Sequence, residues 1–171
     1  MQIKSYLGYH KEHRGLYRTL FVMTQPVGEV YDDYATWYKK TFIDGLKKGE
    51  RGYIVAKEDK GQVVGCALLK NTPNEKKICT LFVRSDWRGR GVGTELMKSC
   101  IKVLGPKPLL TVSQQNIGKF RPLLQRFGFE LSAKKRINDR IEYHFNDQRA
   151  EIVKRGLIPV LIERMKQLRR K

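Results

Sequence analysis

Apolar positions follow two rhythms along this chain, and the switches between them mark out its elements. Residues 3–7 read as a short first strand, after which Leu16, Leu20 and Met23 recur at helical spacing. Pro26 and Gly28 break that pattern. From residue 30 to 48 a second helix carries Tyr34, Tyr38 and Phe42 on one face and stops near Gly49, the expected left-handed cap. Residues 51–57 and 62–70 read as strands around the hairpin sequence Glu58-Asp59-Lys60-Gly61. A turn at Asn71-Thr72-Pro73-Asn74 leads to a third strand over 78–83, which predicts an antiparallel meander.

Further on, Val92, Leu96, Cys100 and Val103 fall on one face of a helix that ends at Gly105-Pro106. Residues 109–112 form the next strand, and Asn116 is a candidate cap for a helix that Gly128 closes. Pro122 lies inside that helix, so it is either kinked or regular only from Pro122 onward. Residues 129–137 and 140–145 close a hairpin through Asn138-Asp139. The alternation of elements predicts an α/β (α+β) fold over 1–146, followed by a basic amphipathic helical tail over 147–171. In the tail Val153, Leu157, Leu161, Met165 and Leu168 form an apolar stripe, and Pro159 divides it into two short helices. That stripe has three readings: docking on the body, a homodimer contact, or an RNA contact.

Composition narrows the class. A chain of 171 residues with 40% hydrophobic residues builds one core and is not globally disordered. Its 35 Lys and Arg against 17 Asp and Glu give a formal charge of +18, a surface that attracts RNA, acidic proteins and phosphorylated cofactors without choosing among them. Cys66, Cys79 and Cys100 are odd in number and sit in apolar segments, which predicts buried thiols in a reducing, cytoplasmic setting. His10 and His13 lack the glutamate of a helical zinc site, so no metal is expected, and no apolar run is long enough for a membrane span.

The chemistry concentrates in Leu81-Phe82-Val83-Arg84-Ser85-Asp86-Trp87-Arg88-Gly89-Arg90-Gly91-Val92-Gly93-Thr94. A strand runs into a glycine-rich turn that opens a helix, so backbone N–H groups and the positive helix end converge on one point. Side chains in place of the glycines would hold an anion away from those donors, while Arg88 and Arg90 add charge for a diphosphate. No Lys-Ser or Lys-Thr pair completes a P-loop, and the third glycine of a dinucleotide fingerprint would fall at Thr94.

Arg88-Gly89-Arg90-Gly91-Val92-Gly93 resembles the signature of the GNAT acetyltransferases: Arg or Gln, two residues, Gly, one residue, then Gly or Ala. Leu81-Phe82-Val83 before it, Leu109-Leu110-Thr111-Val112 after its helix, then Asn116 and Gly128-Phe129 extend the resemblance over about residues 53–145. It implies a mixed, mostly antiparallel, splayed sheet flanked by helices. Acetyl-CoA would be the cosubstrate, bound by Leu81, Phe82 and Val83, by Arg88, Gly89, Arg90, Gly91, Val92, Gly93 and Thr94, and by Asn116. It further implies that the pantetheine arm bonds to main-chain groups of Leu81 and Val83, with the Val83 N–H polarising the thioester carbonyl.

The chain departs from the family in its proton carriers. Where many relatives place a Tyr four residues before the Gly of Gly-Phe, it has Leu124; where histone-type relatives place a Glu six residues before the strand's final Val, it has Lys77. Candidate replacements are Glu75 as base and Ser113 as acid, with Tyr143 and His144 beside them. Tyr31, Tyr34, Trp37 and Tyr38 either wall an acceptor site or belong to the core. The expected activity is N-acetyl transfer to a primary amine, small or macromolecular. The alternative is an acetyl-CoA-binding or RNA-binding module on the same fold with little turnover.

Overall fold

The computed structural model describes residues 1–148. The chain divides into two compact units, Met1–Leu109 and a second from Leu110 onward. The expected tail helices lie almost wholly outside the described residues.

In the first unit, β1 (Gln2–Leu7), β2 (Arg51–Lys57), β3 (Val63–Thr72) and β4 (Glu75–Val83) pair in that order, each antiparallel to the next. Gly61 takes a φ of +84° in the β2–β3 hairpin, as the local sequence predicts. β4 begins three residues earlier than its apolar run, because Thr72 and Glu75 pair directly across a tight turn and bring polar residues into the ladder.

Helices are inserted between β1 and β2. α1 (Arg14–Met23) is followed by α2 (Tyr34–Thr36), which continues through a π-helical stretch, Trp37–Phe42, into α3 (Ile43–Lys47). The expected single helix from residue 30 starts four residues later, because Gln25–Glu29 forms a separate 3-10 turn. Tyr17 and Leu20 from α1 meet Tyr34, Tyr38, Phe42 and Leu46, and all pack on the sheet face that carries Tyr53, Val55, Cys66 and Leu68. The buried tyrosines keep partners for their hydroxyls: Tyr34 donates to Thr24 Oγ1 at 2.8 Å and Tyr38 to the Tyr17 carbonyl at 2.8 Å. Tyr34 and Tyr38 are therefore core residues, with Tyr31 and Trp37 packed against that core.

Strand alternation puts Ile54, Ala56, Gly65 and Ala67 on the opposite face, where α4 (Val92–Leu104) docks through Val92 and Leu96. Gly65 permits that close approach, since a Cβ there would lie 3.1 Å from both Val92 Cγ1 and Leu96 Cδ1. β2 and β3 are thus covered on both faces, which explains their nearly continuous burial.

The second unit holds β5 (Leu109–Ser113, whose first residue closes the first unit), α5 (Ile117–Arg126), β6 (Leu131–Ile137) and β7 (Arg140–Phe145), with β7 antiparallel to both β5 and β6. α5 runs through Pro122 without ending, and its regular part starts before the proline. Asn116 stands at the N-cap position, yet its side chain makes no capping bond: Nδ2 donates to Ser113 Oγ at 3.2 Å instead. Gly128, at a φ of +63°, ends the helix.

Among the described residues no helix is long and apolar enough to cross a membrane, and no group of three or more His, Cys, Asp or Glu is placed to hold a metal. The three cysteines are free; Cys66 and Cys100 are buried, but Cys79 is only half-buried.

Candidate active site

The end of β4 is built around one alternation. The Arg84 N–H donates to the Val64 carbonyl at 3.0 Å, and in this register Val83 stands opposite Gly65. Antiparallel ladders alternate bonded and non-bonded pairs, so the main-chain groups of Val83, and likewise of Leu81, point away from β3. On that side the Val83 carbonyl accepts a bond from Arg88 Nε at 3.1 Å. Further up the strand the register slips: Leu68 pairs with Thr80 and Leu69 with Ile78, leaving Cys79 as a bulge. Arg51 Nη1 holds the Cys79 sulfur at 3.2 Å.

Beyond Val83 the chain makes a 3-10 turn, Ser85–Trp87, and then two left-handed glycines, Gly89 at a φ of +74° and Gly91 at +81°. Gly91 is the N-cap of α4, and no side chain caps that helix. A Cβ built on Gly89 or Gly91 meets nothing within 4 Å. The first N–H groups of α4 therefore open onto free space at the positive end of a 13-residue helix, the arrangement a phosphate needs. The turn is braced from outside. Arg84 grips Asp86 through two bonds, Nε to Oδ1 at 3.1 Å and Nη2 to Oδ2 at 2.7 Å, and Arg90 lies over the Trp87 ring at 5.1 Å.

On the α1 side of this turn lies an open groove of about 840 Å³, which the sequence reading did not foresee. Arg18, Val22 and Met23 of α1 line one wall, and Phe82, Arg84 and Arg88 the other. The available signal was the spacing Gly15, Arg18, Thr19, Val22, one helix face opposite the buried Tyr17 and Leu20.

The proposed proton carriers are less well grouped. Glu75 is at the far end of the nine-residue β4 from Val83 and pairs with Lys70 at 3.0 Å, so the structure does not bring it to the turn. In the second unit Ser113 stands opposite Glu142 and Thr111 opposite His144, so Ser113, Glu142 and His144 share one face while Tyr143 takes the other. Ser113 is buried and engaged by Asn116; His144 lies 3.5 Å from Asp147 and 3.8 Å from Glu142; Tyr143 lies under Lys134. Leu124 is buried.

A strand that runs through a left-handed glycine turn into an uncapped helix is the phosphate-binding arrangement of an acyl-CoA-dependent acetyltransferase fold. The Acetyltransferase (GNAT) family pattern matches residues 10–129, more than half of the chain, and the chain belongs to that family. N-acetyl transfer from acetyl-CoA is accordingly its activity. No curated protein sequence matches it. An aminoglycoside 6'-N-acetyltransferase complexed with coenzyme A is similar in fold at a TM-score of 0.62 and 14% identity, over 85% of this chain and 95% of that one. A streptothricin acetyltransferase from Bacillus anthracis in complex with acetyl coenzyme A matches at 0.53 and 16% identity, over 64% and 68%. For nourseothricin acetyltransferase the values are 0.50 and 18%, and the match spans 57% of this chain and 65% of that protein.

Proposed function

We propose that acetyl-CoA is held by the β4 edge and the turn that follows, and that the chain transfers its acetyl group to a primary amine mainly by positioning and polarisation. The observation that carries this reading is the uncapped start of α4 behind Gly91, with free space in front of it. The N–H groups from Gly89 to Thr94 would take the diphosphate, with Arg88 and Arg90 adding charge. Main-chain groups of Leu81 and Val83 would take the pantetheine arm as an added strand, and the Val83 N–H would donate to the acyl oxygen. Bound there, acetyl-CoA supplies an activated acyl group: a C–S bond is exchanged for a C–N bond, the amine gives up one proton and the departing sulfur takes one.

A thiol has a pKa near 8.5, so its thiolate leaves without obligatory protonation, and a dedicated acid is dispensable. Each proposed carrier also has a structural occupation: Glu75 with Lys70, Ser113 with Asn116, Tyr143 under Lys134 and His144 between two carboxylates. Accordingly Glu75→Gln, Ser113→Ala, Tyr143→Phe and His144→Gln should each lower kcat for amine-dependent CoA release by less than ~10-fold. A loss of about 10²- to 10⁴-fold at one of them would instead identify a general acid or base.

Free thiols at Cys66, Cys79 and Cys100 fit a reducing, cytoplasmic compartment. The +18 charge fits contact with a polyanion such as RNA, and residues 1–146 would form the catalytic body.

A further inference from the structure

The groove between α1 and the end of β4 has a charge pattern that selects its ligand. Three guanidiniums line it, from Arg18, Arg84 and Arg88, against one carboxylate, Asp86. Both oxygens of Asp86 are already engaged by Arg84, so that pair is internally neutralised. Arg18 and Arg88 have no carboxylate partner among the described residues, and Arg88 uses only its Nε, on the Val83 carbonyl. A guanidinium has five N–H donors, so Arg18 keeps its capacity for an anion in the groove, while Arg88, at the glycine turn, is shared with the cofactor diphosphate proposed above. Between the cations the lining is apolar: Val22, Met23 and Phe82, with Val22 left 60% exposed.

A polycationic amine has nothing to pair with here and meets like charge on two sides. An anionic group on an apolar body meets the converse: planar donors matched to a carboxylate or phosphate, and a surface to cover. We infer that this groove binds the acetyl acceptor, and that the acceptor is a primary amine carrying a carboxylate or a phosphate beside an apolar body. The inference rests on the N-acetyltransferase reading above and names its substrate class. It separates this chain from the acceptors named for its structural relatives, since an aminoglycoside carries several amines and no anion.

Four amines of graded charge test it with the full chain at pH 8: phenylalanine, tyramine O-phosphate, phenethylamine and spermidine, each followed by acetyl-CoA-dependent CoA release. Phenylalanine or tyramine phosphate should exceed phenethylamine and spermidine by at least ~10-fold in kcat/KM, and the better of the two identifies carboxylate or phosphate as the anion. Arg18→Glu should remove that preference by ~10-fold or more, chiefly through KM, whereas Arg18→Lys should keep most of it. Arg18 is exposed on α1, so the variants should melt with the parent. Equal or faster turnover of phenethylamine or spermidine would overturn the proposal, as would an unchanged preference in Arg18→Glu. So would a protein that is stabilised by acetyl-CoA but releases CoA with none of the four. Absence of any stabilisation by acetyl-CoA would instead remove the cofactor reading beneath it.

Discussion

Gly91 takes a φ of +81°, a conformation that costs a side-chain-bearing residue about 1–2 kcal/mol, and it stands where a side chain would project in front of the α4 amides. Gly91→Val should therefore cost at least about 1–2 kcal/mol of stability, leave the chain folded and eliminate acetyl-CoA binding, read as loss of the cofactor-induced rise in Tm. Retained binding would count against the turn as the diphosphate site. Buried ionisable groups set a second expectation at this scale. Burial pushes the Cys100 thiol from its ordinary 9.0 up to about 12, and burial likewise raises the Tyr34 hydroxyl from 10.0 to about 12. In the unfolded chain both would release protons at their ordinary values, so between pH 9 and 12 the unfolded state binds fewer protons than the folded one. The stability gained by keeping them neutral is complete below pH 9 and is lost as pH rises toward 12. Urea midpoints measured across that window should fall, and Cys100→Ala with Tyr34→Phe should flatten the decline.

At the scale of elements, the site depends on how α4 meets β3. Gly65 faces α4 directly opposite Val83, and a methyl there would sit 3.1 Å from Val92, Leu96 and the Phe82 carbonyl at once. The Phe82 carbonyl is backbone and the two methyls belong to fully buried side chains, so Gly65→Ala should cost ~1–3 kcal/mol in urea unfolding and weaken acetyl-CoA binding by shifting the start of α4. Preserved affinity at reduced stability would show that the turn is positioned independently of this contact. The bulge at Cys79 belongs to the same scale. It changes the bending of β4 partway along its length, and Arg51 secures it from β2.

At the scale of the whole molecule, a cofactor bound only by the folded state must stabilise it. Acetyl-CoA at about 100 times its Kd should add ~2.7 kcal/mol, which for a chain of this size raises Tm by roughly 5–10 °C. Differential scanning fluorimetry with CoA and acetyl-CoA measures it, and an unchanged Tm at millimolar ligand would contradict the cofactor site. The apolar rhythms already marked the strands and the main helices, though not the 3-10 turn Gln25–Glu29 or the π-helical stretch Trp37–Phe42, because burial on one or both faces writes period 2 or 3.6 into a sequence. Arg88-Gly89-Arg90-Gly91-Val92-Gly93 was equally visible, because positive φ and close approach to an anion both demand glycine.

What the amino-acid order determined by itself was therefore local: the β4-turn-α4 unit, its family and its acyl donor, since all of these lie in residues adjacent along the chain. Tertiary structure alone decided the rest. It put Tyr34 and Tyr38 in the core, took Glu75 to the far end of β4 and turned the Asn116 side chain from cap to Ser113 partner. It also set Arg18 across from Arg88, 70 positions later in the sequence, to line one groove. The reason is that periodicity records which face of an element is buried, whereas the partner that buries or confronts it is chosen by packing between segments remote in sequence.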